Sequence, residues 1–217
     1  MATTLRHSPF EFRRNMKGVS DPQLTFAELL NELKTLTTAE LVMYVRSYVQ
    51  ERTPAAFSSQ PMLWEAVREW VAARLKVHPR EFGLSGSAQS GFSIAKMKSG
   101  APFNPRGSDL DMFIVNEEYF SKVEAEARRF SVRNAESANF AAQANTVSRQ
   151  VQFGYLDLNQ VPANHELYPR ISAARNDASI VIDRLRLHGF QLKPSHFRIY
   201  KNWRELGNWV RRSYSSL

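Results

Sequence analysis

The most informative chemical feature of this 217-residue chain is a pair of aspartates, Asp109 and Asp111, separated by a single leucine. The apolar run that follows them, 112–115, is typical of a buried strand. Because side chains alternate between the two faces of a strand, both carboxylates should lie on one face, with Leu110 packed behind them. Two carboxylates placed in this way repel each other unless a cation lies between them, and such oxygen ligands suit Mg²⁺ or Mn²⁺. The alternative is a solvated strand edge that binds no ligand.

A glycine-serine turn lies upstream of the aspartates. Gly86 and Ser87 follow a short extended segment, 82–85, and precede a predicted helix start. Such a turn offers backbone N–H groups, a hydroxyl and the positive end of a helix dipole to a phosphate. Taken together, the two motifs predict phosphate binding at the turn and metal binding at the aspartates.

A third carboxylate, Asp157, lies in the middle of a hydrophobic run, 151–158, which we predict to be a strand. A charged residue inside such a run is costly unless it is paired or bound to a ligand. Asp157 is therefore a candidate third member of the site. The alternative is an aspartate at the end of a strand that caps the following turn.

The order of these motifs along the chain is characteristic. They stand as Gly86-Ser87, Asp109-x-Asp111, and Asp157 followed by Val161-Pro162-Ala163. This series resembles the nucleotidyltransferase superfamily, which includes DNA polymerase β, poly(A) polymerases, oligoadenylate synthases and the cGAS-like enzymes of bacterial phage defence. The resemblance covers about residues 63–190.

The resemblance implies an enzyme that transfers a nucleoside monophosphate from ATP, dATP or another (d)NTP to a hydroxyl group, with release of pyrophosphate. Asp109 and Asp111 would hold two Mg²⁺ or Mn²⁺ ions, and Asp157 would complete the second metal site and orient the attacking hydroxyl. Ser87 would contact the terminal phosphates. Further candidate nucleotide-binding residues beside the two motifs are Gly86, Gln89 and Ser108.

The segment 92–107 makes the gap between Ser87 and Asp109 longer than in minimal members of the superfamily. We interpret it as a loop that contacts substrate. Its basic residues, which would lie near phosphates, are Lys96, Lys98 and Arg106.

The compact size resembles that of bacterial defence nucleotidyltransferases. One subgroup, found in Hailong-type phage-defence systems, makes oligodeoxyadenylate and starts the chain on a tyrosine near its own C-terminus. The resemblance implies an oligonucleotide product, an effector protein encoded in the same defence operon, and Tyr214 as the primer. Three alternatives stay open: Tyr214 has no role, the product is a cyclic dinucleotide, or the chain is a non-catalytic antitoxin or nucleic-acid-binding module.

The formal net charge is +8, and most of the excess lies in the last quarter of the sequence. Residues 170–217 contain ten basic and three acidic side chains, a net charge of +7. This distribution favours a polyanionic partner such as nucleic acid or nucleotide phosphates, and a solvated basic helix face is the alternative. Candidate contacts in this region are Lys193, Lys201 and Arg204.

Composition excludes several other classes of function. The chain contains no cysteine, which excludes disulfide frameworks, cysteine zinc sites and thiol nucleophiles. Its five histidines show no metal-ligand spacing, so we interpret them as ordinary surface or core residues. No apolar run approaches the length of a membrane span, and the first ten residues lack the apolar core of a signal peptide. We therefore expect a cytoplasmic protein without membrane insertion.

The elements that must position these residues follow from apolar spacing. We expect an α+β (or α/β) fold, with a small mixed sheet flanked by N-terminal and C-terminal helices. An extended arm, 1–22, should precede a single domain, 23–217, that comprises a catalytic core (about 63–165), a C-terminal helical region (166–211) and a flexible tail (212–217). Helices are predicted near 26–33, 37–53, 63–75, 117–149, 171–187 and 195–211, and strands at 82–85, 110–115 and 151–158.

Overall fold

The structure, a computed structural model, describes residues 25–50, 52–93, 100–193 and 196–215. The predicted N-terminal arm, Lys96 and Lys98 therefore lie outside the described residues. The helices are α1 (Phe26–Thr35), α2 (Thr38–Gln50), α3 (Pro61–Leu75), α4 (Gly86–Ser90), α5 (Glu117–Asn134), α6 (Ala141–Gln152), α7 (Pro169–Leu185) and α8 (Trp203–Ser215). The strands are β1 (Phe82–Leu84), β2 (Met112–Val115), β3 (Tyr155–Asp157) and β4 (Phe197–Tyr200).

Local sequence signals explain several helix ends. Thr37 and Glu40 form a capping box, in which the Thr37 N–H donates to Glu40 Oε2 (2.8 Å) and the Glu40 N–H donates to Thr37 Oγ1 (3.3 Å). α7 begins at a proline and is followed by a short 3₁₀ turn that ends at Gly189, whose φ of 87° is left-handed. These ends are set by residues that lie close together in the sequence.

The four strands form one mixed sheet in the order β1-β2-β4-β3. β1 is antiparallel to β2, β2 is parallel to β4, and β4 is antiparallel to β3. The expected α+β class with a small mixed sheet flanked by helices is therefore confirmed.

The prediction of one helix over 195–211 is wrong in its first half, because 197–200 form β4 at the centre of the sheet. Phe197, Tyr200 and Trp203 have helical spacing, but Phe197 and Ile199 are buried on one face while Arg198 points to the other. This alternation has the period of a strand. At the other end α8 continues through Ser215, so 212–215 extend this helix and do not begin the expected flexible tail.

The third strand also differs from its prediction. The first two residues of the run 151–158 belong to α6, and β3 begins only at Tyr155 after Gly154, which has a left-handed φ of 68°. Asp157 is therefore the last residue of β3 and does not lie in the middle of a strand.

The two faces of the sheet contact different helices. The face that carries Met112, Ile114 and Ile199 packs into a large core with residues of α3, α5, α6 and α7. The opposite face carries Phe113 and Tyr200, which pack in a smaller core with residues of α2 and α8. Among the described residues, no helix is both long enough and apolar enough to cross a membrane.

A buried glutamate joins two helices of the larger layer. Glu126 of α5 is fully buried, and its carboxylate accepts hydrogen bonds from the Arg170 and Ile171 N–H groups (3.1 and 3.0 Å) in the first turn of α7. The Arg170 guanidinium also contacts it at 3.3 Å. A carboxylate in this position binds N–H groups that have no partner within their own helix and favours the positive end of the helix dipole.

We expect Glu126→Gln to destabilise the fold by about 2 kcal/mol, because an uncharged amide accepts weaker hydrogen bonds from the start of α7. Urea unfolding followed by circular dichroism measures the change. Glu118→Gln is the matched control on the same helix, since the Glu118 side chain is 80% exposed and its partner is the surface residue Lys122. Equal unfolding midpoints for the two variants would contradict the capping role of Glu126.

Candidate active site

Both aspartates of the Asp-x-Asp pair lie on the α8 side of the sheet, as their alternation predicts. Leu110 is fully buried in the larger core, which directs Asp109 and Asp111 to the other face. Asp109 is exposed and forms an isolated parallel bridge with Lys193. Asp111 is half-buried, and its main-chain oxygen accepts a hydrogen bond from the Ser85 N–H (2.9 Å).

The glycine-serine turn lies directly against this pair. Gly86 has a left-handed φ of 63°, and a Cβ atom added there would lie 3.1 Å from Asp111 Oδ2. The predicted proximity of the turn and the aspartates is thus present. However, α4 spans only the five residues from Gly86 to Ser90, so its dipole is much smaller than that of a long helix. Phosphate binding by Ser87 stays a prediction.

Two further candidates occupy the same region. Gln89 is buried within α4. Ser108 is half-buried, and its Oγ accepts a hydrogen bond from the Asn104 N–H (2.9 Å), while its carbonyl accepts one from the Lys193 N–H (3.2 Å). Ser108 therefore helps to fix the backbone on which Asp109 lies.

Asp111 is the least compensated carboxylate of the site. Its Oδ1 atom is buried and has no hydrogen-bond partner among the described residues. Burial raises the pKa of Asp111, and the charge of Asp109 raises it further, while Arg198 and His196 oppose the shift. A buried carboxylate oxygen without a hydrogen-bond partner is stabilised by a bound cation.

Asp157 has a different environment, although it lies on the same face. It is buried, its Oδ1 accepts a hydrogen bond from the Asn159 N–H (3.1 Å), and its Oδ2 lies 2.6 Å from His196 Nδ1 and 3.7 Å from Arg198 Nε. This is the geometry of the alternative in which an aspartate at the end of a strand caps the following turn. Both of its carboxylate oxygens are engaged within the chain.

The sequence alone did not identify His196 as part of the site. β2 and β4 are parallel with Met112 opposite Phe197, so His196 lies beside Asp111, and its carbonyl accepts from the Met112 N–H (3.0 Å). The hydrogen bond to Asp157 is the largest cause of a raised pKa for His196. Only recognition of β4 as a strand would have revealed this position, because the pairing is non-local.

Arg198 supplies positive charge behind the carboxylates. Its side chain is 14% exposed, and its guanidinium lies 4.9 Å from the centre of the Trp209 ring on α8. Antiparallel pairing places Arg198 opposite Asp157. Trp209 thus covers the ion pair and limits access of water to it.

The structure does not bring all predicted contacts to this cluster. Lys193 lies at the Asp109 end, whereas Lys201 follows the far end of β4, about 16 Å from His196 along an extended strand. Lys201 Nζ lies 3.5 Å from Glu117 Oε1, and Arg204 is exposed in the first turn of α8. Arg106 is also exposed, in the loop before Asp109.

The backbone of Tyr214 belongs to the last turn of α8. Its side chain lies outside what the structure describes. The predicted primer role is therefore neither supported nor contradicted by geometry.

The donor set fits a cation only in part. Asp109 and Asp111 offer carboxylate oxygens, including the partnerless Oδ1 of Asp111. No group of three histidine, aspartate or glutamate side chains in the described part of the chain is arranged to hold a metal ion. A cation at this position would be held by the two aspartates, with water and substrate oxygens completing its coordination.

A concave surface lies in the other layer of the fold. It is an apolar groove of about 160 Å³ between α3 and α7, and its lining includes Leu63, Val67, Trp70 and Leu185. These helices pack on the opposite face of the sheet from the aspartates. The groove is therefore separate from the carboxylate cluster.

Comparison with known proteins gives no match for this chain, whether against family models, curated proteins or solved structures.

We expect Gly86→Ala to lower the free energy of unfolding by more than Gly189→Ala does. Both glycines have a left-handed φ, which costs an alanine about 1–2 kcal/mol. Only at Gly86 does the added methyl group approach a carboxylate, since nothing lies within 4 Å of a Cβ at Gly189. Urea unfolding of the two variants gives the difference, and equal losses would show that the Asp111 carboxylate moves away without cost.

Proposed function

We propose that this chain is a metal-dependent nucleotidyltransferase that transfers a nucleoside monophosphate from a (d)NTP, ATP or dATP in the first instance, to a hydroxyl group with release of pyrophosphate. One observation carries the proposal. Asp109 and Asp111 lie on one face of the sheet, with the Gly86 turn against them and the buried Oδ1 of Asp111 without a partner among the described residues.

The roles of the residues follow from this arrangement. Asp109 and Asp111 would hold Mg²⁺ or Mn²⁺, and the bound metal supplies charge neutralisation of the phosphates and a lowered pKa for the attacking hydroxyl. The raised pKa of Asp111 makes protons compete with the cation for this carboxylate, so cation binding should weaken toward acidic pH. The absence of a Cβ at Gly86 leaves the Asp111 carboxylate uncrowded. The chain's own contribution is thus mainly positioning and charge.

The distribution of basic residues supports an elongated product. Lys193 lies at the aspartates, Lys201 follows the far end of β4, about 16 Å from His196 along an extended strand, and Arg204 lies in the first turn of α8. Basic side chains distributed over this length suit contacts with phosphates that are a few nucleotides apart in an oligonucleotide. Within this proposal the enzyme is cytoplasmic, uses two metal ions, signals to an effector protein in anti-phage defence and starts its product on Tyr214.

One observation favours a second candidate function. Asp157 is compensated by His196 and Arg198, as in a closed structural ion pair. A non-catalytic module that binds nucleotides or nucleic acid through the same face would show this arrangement too. It would bind without turnover, with affinity that falls steeply as salt rises.

We expect wild-type protein to convert labelled NTPs or dNTPs to product with Mg²⁺ or Mn²⁺, and Asp109→Asn/Asp111→Asn to lower the rate at least about a hundredfold. Loss of the metal removes several kcal/mol of transition-state stabilisation, and each 1.36 kcal/mol is about tenfold in rate. Asp183→Asn is the matched control, because Asp183 is 64% exposed and forms a surface ion pair with Arg186, three residues further along the chain. Unchanged turnover in the double variant would exclude the proposed function, and salt-sensitive binding by a wild type that shows no turnover would favour the non-catalytic module.

The product is identified by intact mass spectrometry after incubation with each nucleotide. Self-priming predicts that the protein gains mass in nucleotide-sized steps and that Tyr214→Phe abolishes the gain, because only the phenol oxygen is removed. Ser215→Ala, which removes a neighbouring hydroxyl, should keep it. A soluble product with unmodified protein would reject priming on Tyr214 and favour the cyclic dinucleotide alternative.

A further inference from the structure

Both carboxylate oxygens of Asp157 already have partners within the chain. Its Oδ1 caps the turn after β3 through the Asn159 N–H, and its Oδ2 contacts His196 Nδ1 at 2.6 Å. The Arg198 Nε atom lies 3.7 Å from the same Oδ2. A divalent cation bound to this oxygen would lie close to the positive charge of Arg198. The cation and the Arg198 guanidinium would therefore repel each other.

His196 is the group that Asp157 holds in place. Its side chain is 48% exposed, and only its Nδ1 edge is taken up by Asp157. The residue lies beside Asp111 in the parallel pairing, and its carbonyl accepts a hydrogen bond from the Met112 N–H. The other ring nitrogen, Nε2, is therefore the polar atom of the ring that is left to contact a ligand.

Arg198 cannot take this role, because Trp209 covers its guanidinium and its side chain is only 14% exposed. Arg198 instead compensates the buried charge of Asp157. A histidine whose ring is held by a buried carboxylate keeps one orientation, which lowers the entropic cost of a contact with a ligand.

We propose that Asp157 is a positioning residue and not a metal ligand: it fixes the His196 ring so that Nε2 hydrogen-bonds an oxygen of the bound nucleotide beside Asp109 and Asp111. The inference rests on the proposed function for the identity of the ligand. It departs from the three-carboxylate metal site that the family resemblance implies for Asp157.

Binding of Mn²⁺ to the full chain, followed by electron paramagnetic resonance without nucleotide, tests the role of Asp157. We expect Asp111→Asn to weaken Mn²⁺ binding at least about tenfold and Asp157→Asn to leave it unchanged. An equal loss in both variants would overturn the inference and make Asp157 a ligand. No Mn²⁺ binding by the wild type, either without nucleotide or with a non-hydrolysable nucleotide analogue, would overturn the proposed function and the inference together.

Nucleotide binding tests the role of His196. With a non-hydrolysable dATP or ATP analogue, we expect His196→Gln and Asp157→Asn each to weaken binding about tenfold, and the double variant to be no weaker than either single one. We expect His196→Gln to leave the fold intact, because the His196 ring is half-exposed. Unchanged binding in His196→Gln, or additive losses in the double variant, would overturn the inference.

A spectroscopic measurement separates positioning from a general loss of structure. The 2.6 Å contact predicts a downfield imidazole N–H proton resonance for His196 that disappears in Asp157→Asn and persists in Asp111→Asn. Its persistence in Asp157→Asn would overturn the inference. If turnover is present but Asp157→Asn loses Mn²⁺, only this inference fails and the proposed function stands.

Discussion

The parallel pairing of β2 with β4 is the interaction on which the site depends. The hydrogen bond from the Met112 N–H to the His196 carbonyl fixes the register, and the antiparallel pairing of β4 with β3 then places Arg198 opposite Asp157. A shift by one residue would move these side chains to the other face of the sheet, into the large apolar core. Asp109, Asp111 and Asp157 share one face of the sheet, and Arg198 of the central strand β4 supplies positive charge that offsets the repulsion between their carboxylates.

The basic excess of the last quarter of the sequence is therefore not one surface. Arg198 lies between strand β4 and Trp209 of α8, and Lys193 lies at the aspartates. Arg170 contacts the buried Glu126 in the other layer. Lys201 contacts Glu117 at the far end of β4. A part of the net charge of +7 therefore serves to neutralise acids within the fold.

Local signals predicted local structure. The helix starts and ends predicted near 37 and 187 agree with the structure because the capping box at Thr37 and the turn at Gly189 depend on residues within a few positions of each other. The sequence predicts helix for β4 because Phe197, Tyr200 and Trp203 also satisfy a spacing of three, and only pairing with strands about 40 and 85 residues away favours the extended form. The role of His196 was missed for the same reason.

The position of Asp157 at the end of a strand, and not in its middle, changes what it can do. At the end of β3, Asp157 keeps the face of the sheet that the other carboxylates share, caps the Asn159 N–H, and contacts Arg198 of β4. A divalent cation on the same oxygen would be repelled by the positive charge of Arg198. Asp111, with its partnerless buried oxygen, is left as the carboxylate that most needs a cation.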